Sequence, residues 1–278
     1  MMIMVFLLHF RNKYNINSLG DIMAIGIYDS GIGGLTVYKA VAAYFKKQDL
    51  IYLGDVARVP YGNRSKETII RYSVECASFL KEKYNISALI AACNTISSHA
   101  LPDLDNSLNI PVLGVIKPGA KYAVDLTKNK KIGVLGTHAT VNSKSYIHAI
   151  KEILPDAQVY QQACPLFVPL VEEAVISGKM AETVVEETLK NIAETGIDTV
   201  ILGCTHYPVL KDLIAKYLPN VSIVDSTHYI IEDIKKLNLS DTEKGLREVL
   251  VTDDTPAFLS LKNILVGNVP VQVVDINK

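Results

Sequence analysis

This sequence carries almost no net charge, few cysteines, and no apolar run long enough to cross a bilayer. Its formal net charge is −1, so bulk electrostatics point to neither a nucleic-acid nor a membrane partner. Four cysteines (Cys76, Cys93, Cys164, Cys204) in 278 residues are too sparse for a disulfide framework. They read as free thiols in a reducing compartment, which predicts a cytoplasmic protein. No CxxC and no Cys/His pair at zinc-finger spacing occurs, so no metal site is expected. The apolar start, Met1 to Phe10, is followed by Arg11-Asn12-Lys13. A signal peptide carries its positive charges before the apolar run and a small-residue cleavage site after it, and ten residues cannot span a membrane. Residues 1–22 are therefore expected to be an extension outside the fold, from a start codon assigned too early.

What is present is a globular composition, 49% hydrophobic and 21% charged, enough for two modest domains around sizeable cores. From Met23 onward short β-rich runs alternate with amphipathic stretches, the pattern of an α/β protein with mainly parallel sheets. Ala24–Tyr28, Leu50–Gly54, Val112–Val115, Lys131–Thr137, Val221–Val224 and Val271–Asp275 read as strands. Leu35–Lys46 reads as a helix, as does a longer stretch capped by Ser65 and running to about Tyr84. Asp29-Ser30-Gly31-Ile32-Gly33-Gly34 has the strand–Gly-rich turn–helix layout of a phosphate loop. It lacks the GxGxxG spacing and the P-loop Lys-Ser/Thr, and it opens with a carboxylate that would repel phosphate, so a nucleotide cofactor is not expected. In the loop Asp55–Asn63, Pro60 and Gly62 fix an extended turn that presents backbone N–H groups and Tyr61. That loop is either a surface connector or a ligand clamp.

The chain is organised around Thr199-Val200-Ile201-Leu202-Gly203-Cys204-Thr205-His206-Tyr207-Pro208. A buried parallel strand reads this way when its C-terminal end delivers polar groups to a cleft. Ala88-Leu89-Ile90-Ala91-Ala92-Cys93-Asn94-Thr95 has the same design; aligned on the cysteines, Ile90 matches Ile201 and Ile86 matches Ile197. Asp29 and Gly136 are 107 residues apart, Ile51 and Val159 108, and Cys93 and Cys204 111. Ile132-Gly133-Val134 also echoes Ile25-Gly26-Ile27. Landmarks at nearly one offset predict an internal duplication of an α/β unit of about 110 residues.

Ligands of open α/β sheets sit beyond the carboxyl ends of strands, where Asp29-Ser30, Cys93-Asn94-Thr95, Thr137 and Cys204-Thr205-His206 all fall. If the halves face each other across a pseudo-twofold axis, a small molecule between them meets a thiol on each face. One thiolate removes a proton while the opposite thiol delivers one, which inverts a stereocentre. Thiols suit this exchange because their ordinary pKa is not far above neutrality. His206 and Asp29 are candidates for assisting it, and Ser30, Asn94, Thr95 and Thr205 suit carboxylate and ammonium groups. Cys76, inside a helix, reads as a small core hydrophobe. Glu172-Glu173, read at a helix start, would ordinarily make only a dipole interaction and a solvated face.

The segments DSGIGGLTV (29–37), GDVARVPYG (54–62), ACNT (92–95), GTHATV (136–141), ACPLFVPLVEE (163–173) and GCTHYP (203–208) occur in order. Together with VTDD (251–254), they make the chain resemble the glutamate racemases of the cofactor-independent aspartate/glutamate racemase superfamily. The resemblance implies interconversion of L- and D-glutamate for bacterial peptidoglycan without PLP, metal or nucleotide. It implies Cys93 as the base toward the D-enantiomer and Cys204 toward the L-enantiomer, supported by Asp29 and His206, with Glu172 orienting His206. Substrate contacts carry over to Asp29, Ser30, Tyr61, Gly62, Asn94, Thr95, Thr205 and His206, with Thr137 at the adjoining strand end.

The implied fold is two similar α/β domains with the site between them, residues 23–116 plus 229–278 forming one and 117–228 the other. Homodimers are common in the family. Ile96 replaces a frequent Ala, and Lys117 stands where Glu is frequent, altering charge after a strand end. An aspartate racemase would keep both cysteines; a thiol oxidoreductase would need them joined. Some family members are reported to inhibit DNA gyrase, so a binding role is a further alternative.

Overall fold

The first strand, β1 (Ala24–Asp29), shows why the chain folds as it does. Ile25 and Ile27 point to one face of the sheet and Tyr28 to the other; all three are fully buried, the isoleucines in one hydrophobic cluster and the tyrosine in another. A strand covered on both faces is what an apolar run without polar alternation produces in a parallel sheet. Burying each such side chain is worth about 1.5–3 kcal/mol. The computed structural model describes residues 24–225, 227–237, 242 and 245–277; the extension expected at residues 1–22 lies outside the described residues.

Two parallel sheets are built this way. The first has the order β10-β9-β2-β1-β3-β4, with β2 (Asp49–Gly54), β3 (Ala88–Ala91), β4 (Val112–Gly114), β9 (Arg247–Val251) and β10 (Gln272–Val273) beside β1. The second has the order β6-β5-β7-β8, from β5 (Lys131–Gly136), β6 (Gln158–Ala163), β7 (Thr199–Gly203) and β8 (Ser222–Val224). Helices α1 (Leu35–Tyr44), α2 (Lys66–Tyr84), α3 (Asn94–His99) and α4 (Leu101–Leu108) connect strands of the first sheet. Helices α5 (Ile116–Leu126), α6 (His138–Ser143), α7 (Ser145–Ile153), α8 (Phe167–Glu172), α9 (Gly178–Ala193) and α10 (Lys211–Tyr217) precede or connect strands of the second. Then α11 (Thr227–Lys235) leads the chain back to the first sheet, where α12 (Pro256–Val266) separates β9 from β10. The chain therefore crosses between the sheets more than once.

The segment β2-β1-β3-β4 of the first sheet has the same connectivity as β6-β5-β7-β8 of the second, which is the form an internal duplication takes. A matched packing detail accompanies it. A Cβ on Gly26 of β1 would lie 2.6 Å from Ile86 Cδ1, and a Cβ on Gly133 of β5 would lie 2.6 Å from Ile197 Cδ1. Each glycine makes room for the same isoleucine just ahead of the third strand of its unit. One hydrophobic cluster joins the sheets, including Ile25 and Ile27 from β1 together with Val200 and Leu202 from β7 and Phe167 from α8.

Boundaries differ from expectation at chain ends of elements. The helix from Leu35 stops at Tyr44, β4 ends at Gly114, and the last strand is only Gln272–Val273. One expected placement is wrong in kind. Glu172 and Glu173 do not start a helix: α8 begins at Phe167, ends at Glu172, and the chain then turns through Ala174 at φ +55°. Pro169 is accommodated in the first turn, where its missing N–H costs nothing. The carboxylate of Glu172 thus sits at the negative end of a short helix.

Candidate active site

The carboxyl ends of β1, β3, β5 and β7 converge, and each leads within two residues to a polar side chain or thiol. Cys93 follows β3 and precedes α3; Cys204 follows β7. Both are nearly fully buried, at 6% and 7% exposure, and all four cysteines of the chain are free thiols. Cys93 and Cys204 lie close enough that charge on one is felt by the other.

The two thiols have different neighbours. Ser30 Oγ lies 3.3 Å from Cys93 Sγ. Asp29, wholly buried at the end of β1, accepts the Gly31 N–H at 2.9 Å and the Thr205 hydroxyl at 3.3 Å. Burial and then the charge of Asp29 push the Cys93 thiol up to about 12, against a smaller opposing effect of Ser30. Burial also raises Asp29, opposed by the positive charge of His206 and by the N–H groups of Gly31 and Gly34.

On the other wall His206 Nδ1 is 3.8 Å from Cys204 Sγ, and His206 Nε2 is 3.3 Å from Glu172 Oε1. Glu172 stands at ion-pair distance but off the line of the ring N–H, so it makes no aligned hydrogen bond. Burial alone would lower the imidazole; Cys204 and Glu172 outweigh it and hold His206 up at about 10. The histidine is an imidazolium at neutral pH. Cys93 is therefore a thiol beside a carboxylate, and Cys204 a sulfur beside a cation.

Around the thiols the threonines and Asn94 complete the wall. Thr95 and Thr137 hydroxyls meet at 3.1 Å, joining the segment after β3 to the segment after β5, and Thr137 also caps α6 through the Thr140 N–H. Asn94 Oδ1 accepts the Tyr146 hydroxyl at 2.7 Å, while its buried Nδ2 has no protein acceptor. A buried amide donor without a partner is costly, and it is a ready partner for a substrate carboxylate. Tyr146 carries no motif signal and sequence reasoning missed it; it is visible only once α7 brings its hydroxyl to Asn94, at the start of α3.

The Asp55–Asn63 loop is ordered by two single 3₁₀ turns, Val56–Arg58 and Tyr61–Asn63, with a cis Val59–Pro60 peptide between them. It is no surface connector, since Tyr61 and Gly62 are buried. Nor does it present the tyrosine hydroxyl to the cleft. That hydroxyl turns inward to Asp55 and to Tyr28, the latter at 2.8 Å. What the loop brings to the site is main chain: a Cβ on Gly62 would lie 2.6 Å from Thr137 Cβ. Gly33 is equally close to the opposite half, its Cβ position 2.3 Å from Thr205 Oγ1.

Cys76 is buried in the core as expected, with its sulfur 3.2 Å from Arg58 Nη2. Lys117 is exposed, 4.0 Å from Glu152. Lys117 and Glu152 line a cavity of about 720 Å³ formed by residues of β4, α5, α7 and α11 and by none of the residues around the thiols. A smaller one of about 140 Å³ touches Gly31, Val59, Glu172 and Phe258. Among the described residues no cluster of three His, Cys, Asp or Glu side chains could hold a metal ion, and no helix is long and apolar enough to cross a membrane.

Two α/β halves each carry a buried thiol after the third strand, the arrangement expected of an amino-acid racemase. A family model described as Asp/Glu/Hydantoin racemase matches residues 25–234, and the chain belongs to that family. The curated glutamate racemase of Sulfurihydrogenibium sp. (strain YO3AOP1) is 55% identical over 255 residues, 92% of this chain and 98% of that protein. The structure of glutamate racemase from Aquifex pyrophilus has a TM-score of 0.79 at 47% identity, covering 90% of this chain and 98% of that one. Glutamate racemase from Francisella tularensis subsp. tularensis SCHU S4, solved in complex with D-glutamate, has a TM-score of 0.86 at 35% identity, covering 92% and 99%.

Proposed function

We propose that the protein interconverts L- and D-glutamate, with Cys93 and Cys204 as the two acid/bases and no cofactor. The observation that carries this is the pairing of two buried free thiols after equivalent strands, β3 and β7, of two sheets with matched connectivity. Cys204, as thiolate beside the His206 imidazolium, takes the α-proton of L-glutamate. Cys93, as thiol, delivers a proton to the opposite face, and the reverse reaction starts at Cys93. Asp29 and His206 assist the transfers, and Glu172 orients His206. Ser30, Asn94, Thr95, Thr137, Thr205 and the main chain at Tyr61 and Gly62 hold the substrate's carboxylates and ammonium group. The relatives described above are glutamate racemases, which favours glutamate over aspartate.

The same reading places the protein in the cytoplasm, supplying D-glutamate for peptidoglycan and so for cell-wall biogenesis and cell shape. It divides the chain into residues 23–116 plus 229–278 and residues 117–228, with 1–22 outside the fold. The start of the family match at residue 25 supports the last point. We further infer a homodimer, as in many members of the family, and no nucleic-acid partner; sedimentation of the purified protein reads the first.

The test is proton NMR of each glutamate enantiomer in D2O with purified protein and no added cofactor. Loss of the α-proton signal together with decay of optical rotation is expected. Cys93→Ser and Cys204→Ser should each lower racemisation by about a thousandfold or more, since removing a catalytic acid/base forfeits most of its contribution. Exchange with aspartate and not glutamate would move the assignment to aspartate. No exchange with either, from folded protein with free thiols, would refute the reading.

A further inference from the structure

The mechanism leaves the buried carboxylate of Asp55 unused. Asp55 follows β2 and is fully buried. Its Oδ2 accepts Arg58 Nε at 2.6 Å and the Tyr61 hydroxyl, and its Oδ1 accepts the Thr252 hydroxyl at 3.0 Å. Its own N–H donates to the carbonyl of Asp29 at 3.1 Å. Thr252 Oγ1 in turn accepts the Ala57 N–H at 2.9 Å. Arg58 is held beyond this by Glu75, by Cys76 and by the ring of Tyr72, 4.1 Å from its guanidinium carbon. One carboxylate thus ties the two turns of the loop, through Arg58 and Tyr61, to each other and to Thr252 just after β9.

Burying an ion pair seldom stabilises a fold relative to apolar groups of the same volume, so stability alone does not account for this arrangement. A fully hydrogen-bonded polar network does fix a single conformation. The conformation fixed here is the one that sets Gly62, the residue after Tyr61, against Thr137 of the opposite half. None of these contacts of the Asp55 carboxylate reaches Cys93 or Cys204, and it meets Asp29 through the backbone, N–H to carbonyl.

We propose that Asp55 is the positioning residue of the substrate-binding loop, acting through Tyr61 on glutamate binding rather than on proton transfer. The kinetic part of this rests on the reading of the protein as a glutamate racemase. A loop that contacts substrate in ground and transition states alike contributes uniform binding, and its loss appears in KM.

The experiment compares wild type, Asp55→Asn and Thr252→Val in both directions of racemisation and in backbone hydrogen exchange. Asp55→Asn should raise KM for both enantiomers about tenfold while kcat changes less than about threefold. The alkaline limb of its pH profile should stay in place, because His206 and Glu172 are untouched. Thr252→Val, which keeps the carboxylate, should shift KM in the same direction by a smaller factor. Exchange over residues 56–64 should rise at least about tenfold in Asp55→Asn, with the rest of the chain unaffected. A fall in kcat at unchanged KM, or wild-type KM in both variants, would overturn the proposal. If Asp55→Asn does not fold, Thr252→Val decides it by the same KM and exchange criteria. Exchange needs no substrate, so unchanged protection of the loop overturns the anchor even if glutamate is not the substrate. Failure of wild type to racemise glutamate overturns the functional reading separately.

Discussion

At the scale of single residues the two thiols are alike in sequence and unlike in surroundings. Cys93 is pushed up to about 12 by burial and by Asp29, and His206 beside Cys204 is held up at about 10 by Cys204 and Glu172 in spite of burial. A group whose folded value is raised contributes stability that is complete below its unfolded value, here near 6.5, and lost as pH rises to about 10. Glu172→Gln removes one of the two groups responsible. Its alkaline loss of activity should begin about one unit lower than in wild type, and its melting temperature should fall less steeply between pH 7 and 10. A pH–rate profile paired with thermal melts checks both; an unmoved alkaline limb would show that Glu172 does not set the charge of His206. The thiols and His206 were legible in the sequence because each lies within three residues of the end of an apolar strand. Glu172 was legible only through resemblance: spacing placed it at the wrong end of a helix, since neither Pro169 nor the turn at Ala174 announces where a six-residue helix stops.

At the scale of elements the site depends on loops that close on the opposite half through glycines. Gly62→Ala would drive a methyl into Thr137, and Gly33→Ala into Thr205. Overpacking of this kind costs about 1–3 kcal/mol, and here it acts by parting the walls that carry the thiols. Gly62→Ala is expected to lose about a hundredfold in kcat/KM while its melting temperature drops by only a few degrees. Steady-state kinetics with a parallel melt tests this; a large drop in melting temperature with unchanged kcat/KM would contradict it. The regular elements were largely legible, because two-sided burial leaves an uninterrupted apolar run. The orientation of Tyr61 was not. A Pro-Tyr-Gly turn fixes main chain, whereas the side chain's direction is decided by Asp55, Tyr28 and Arg58 from elsewhere in the fold.

For the whole molecule, the matched order of the two sheets was foreshadowed by residue offsets of 107 to 111, and by the glycine–isoleucine pairs 26–86 and 133–197. What offsets could not give is the degree to which the halves share a core. A single hydrophobic cluster holds residues of both sheets, so separating them would expose apolar surface on each. The protein should therefore unfold in one cooperative step, with far-UV dichroism and tyrosine fluorescence reporting coincident urea transitions. Two resolved transitions would mean that the halves are energetically independent.

The unlike walls carry a consequence that no single contact reveals. Mirror-image amino acids have equal free energies in water, so the equilibrium constant between them is one. The ratio kcat/KM must then be the same in both directions, however differently Asp29 with Ser30 and His206 with Glu172 treat their two sulfurs. The chemical inequality of the walls can appear only in how that shared ratio divides between kcat and KM, and in which sulfur rests protonated between turnovers. On the proposed two-thiol mechanism, a free enzyme waiting in one protonation state is primed for one hand of substrate. After each turnover it is left primed for the other, and it must trade protons with solvent before it can repeat itself.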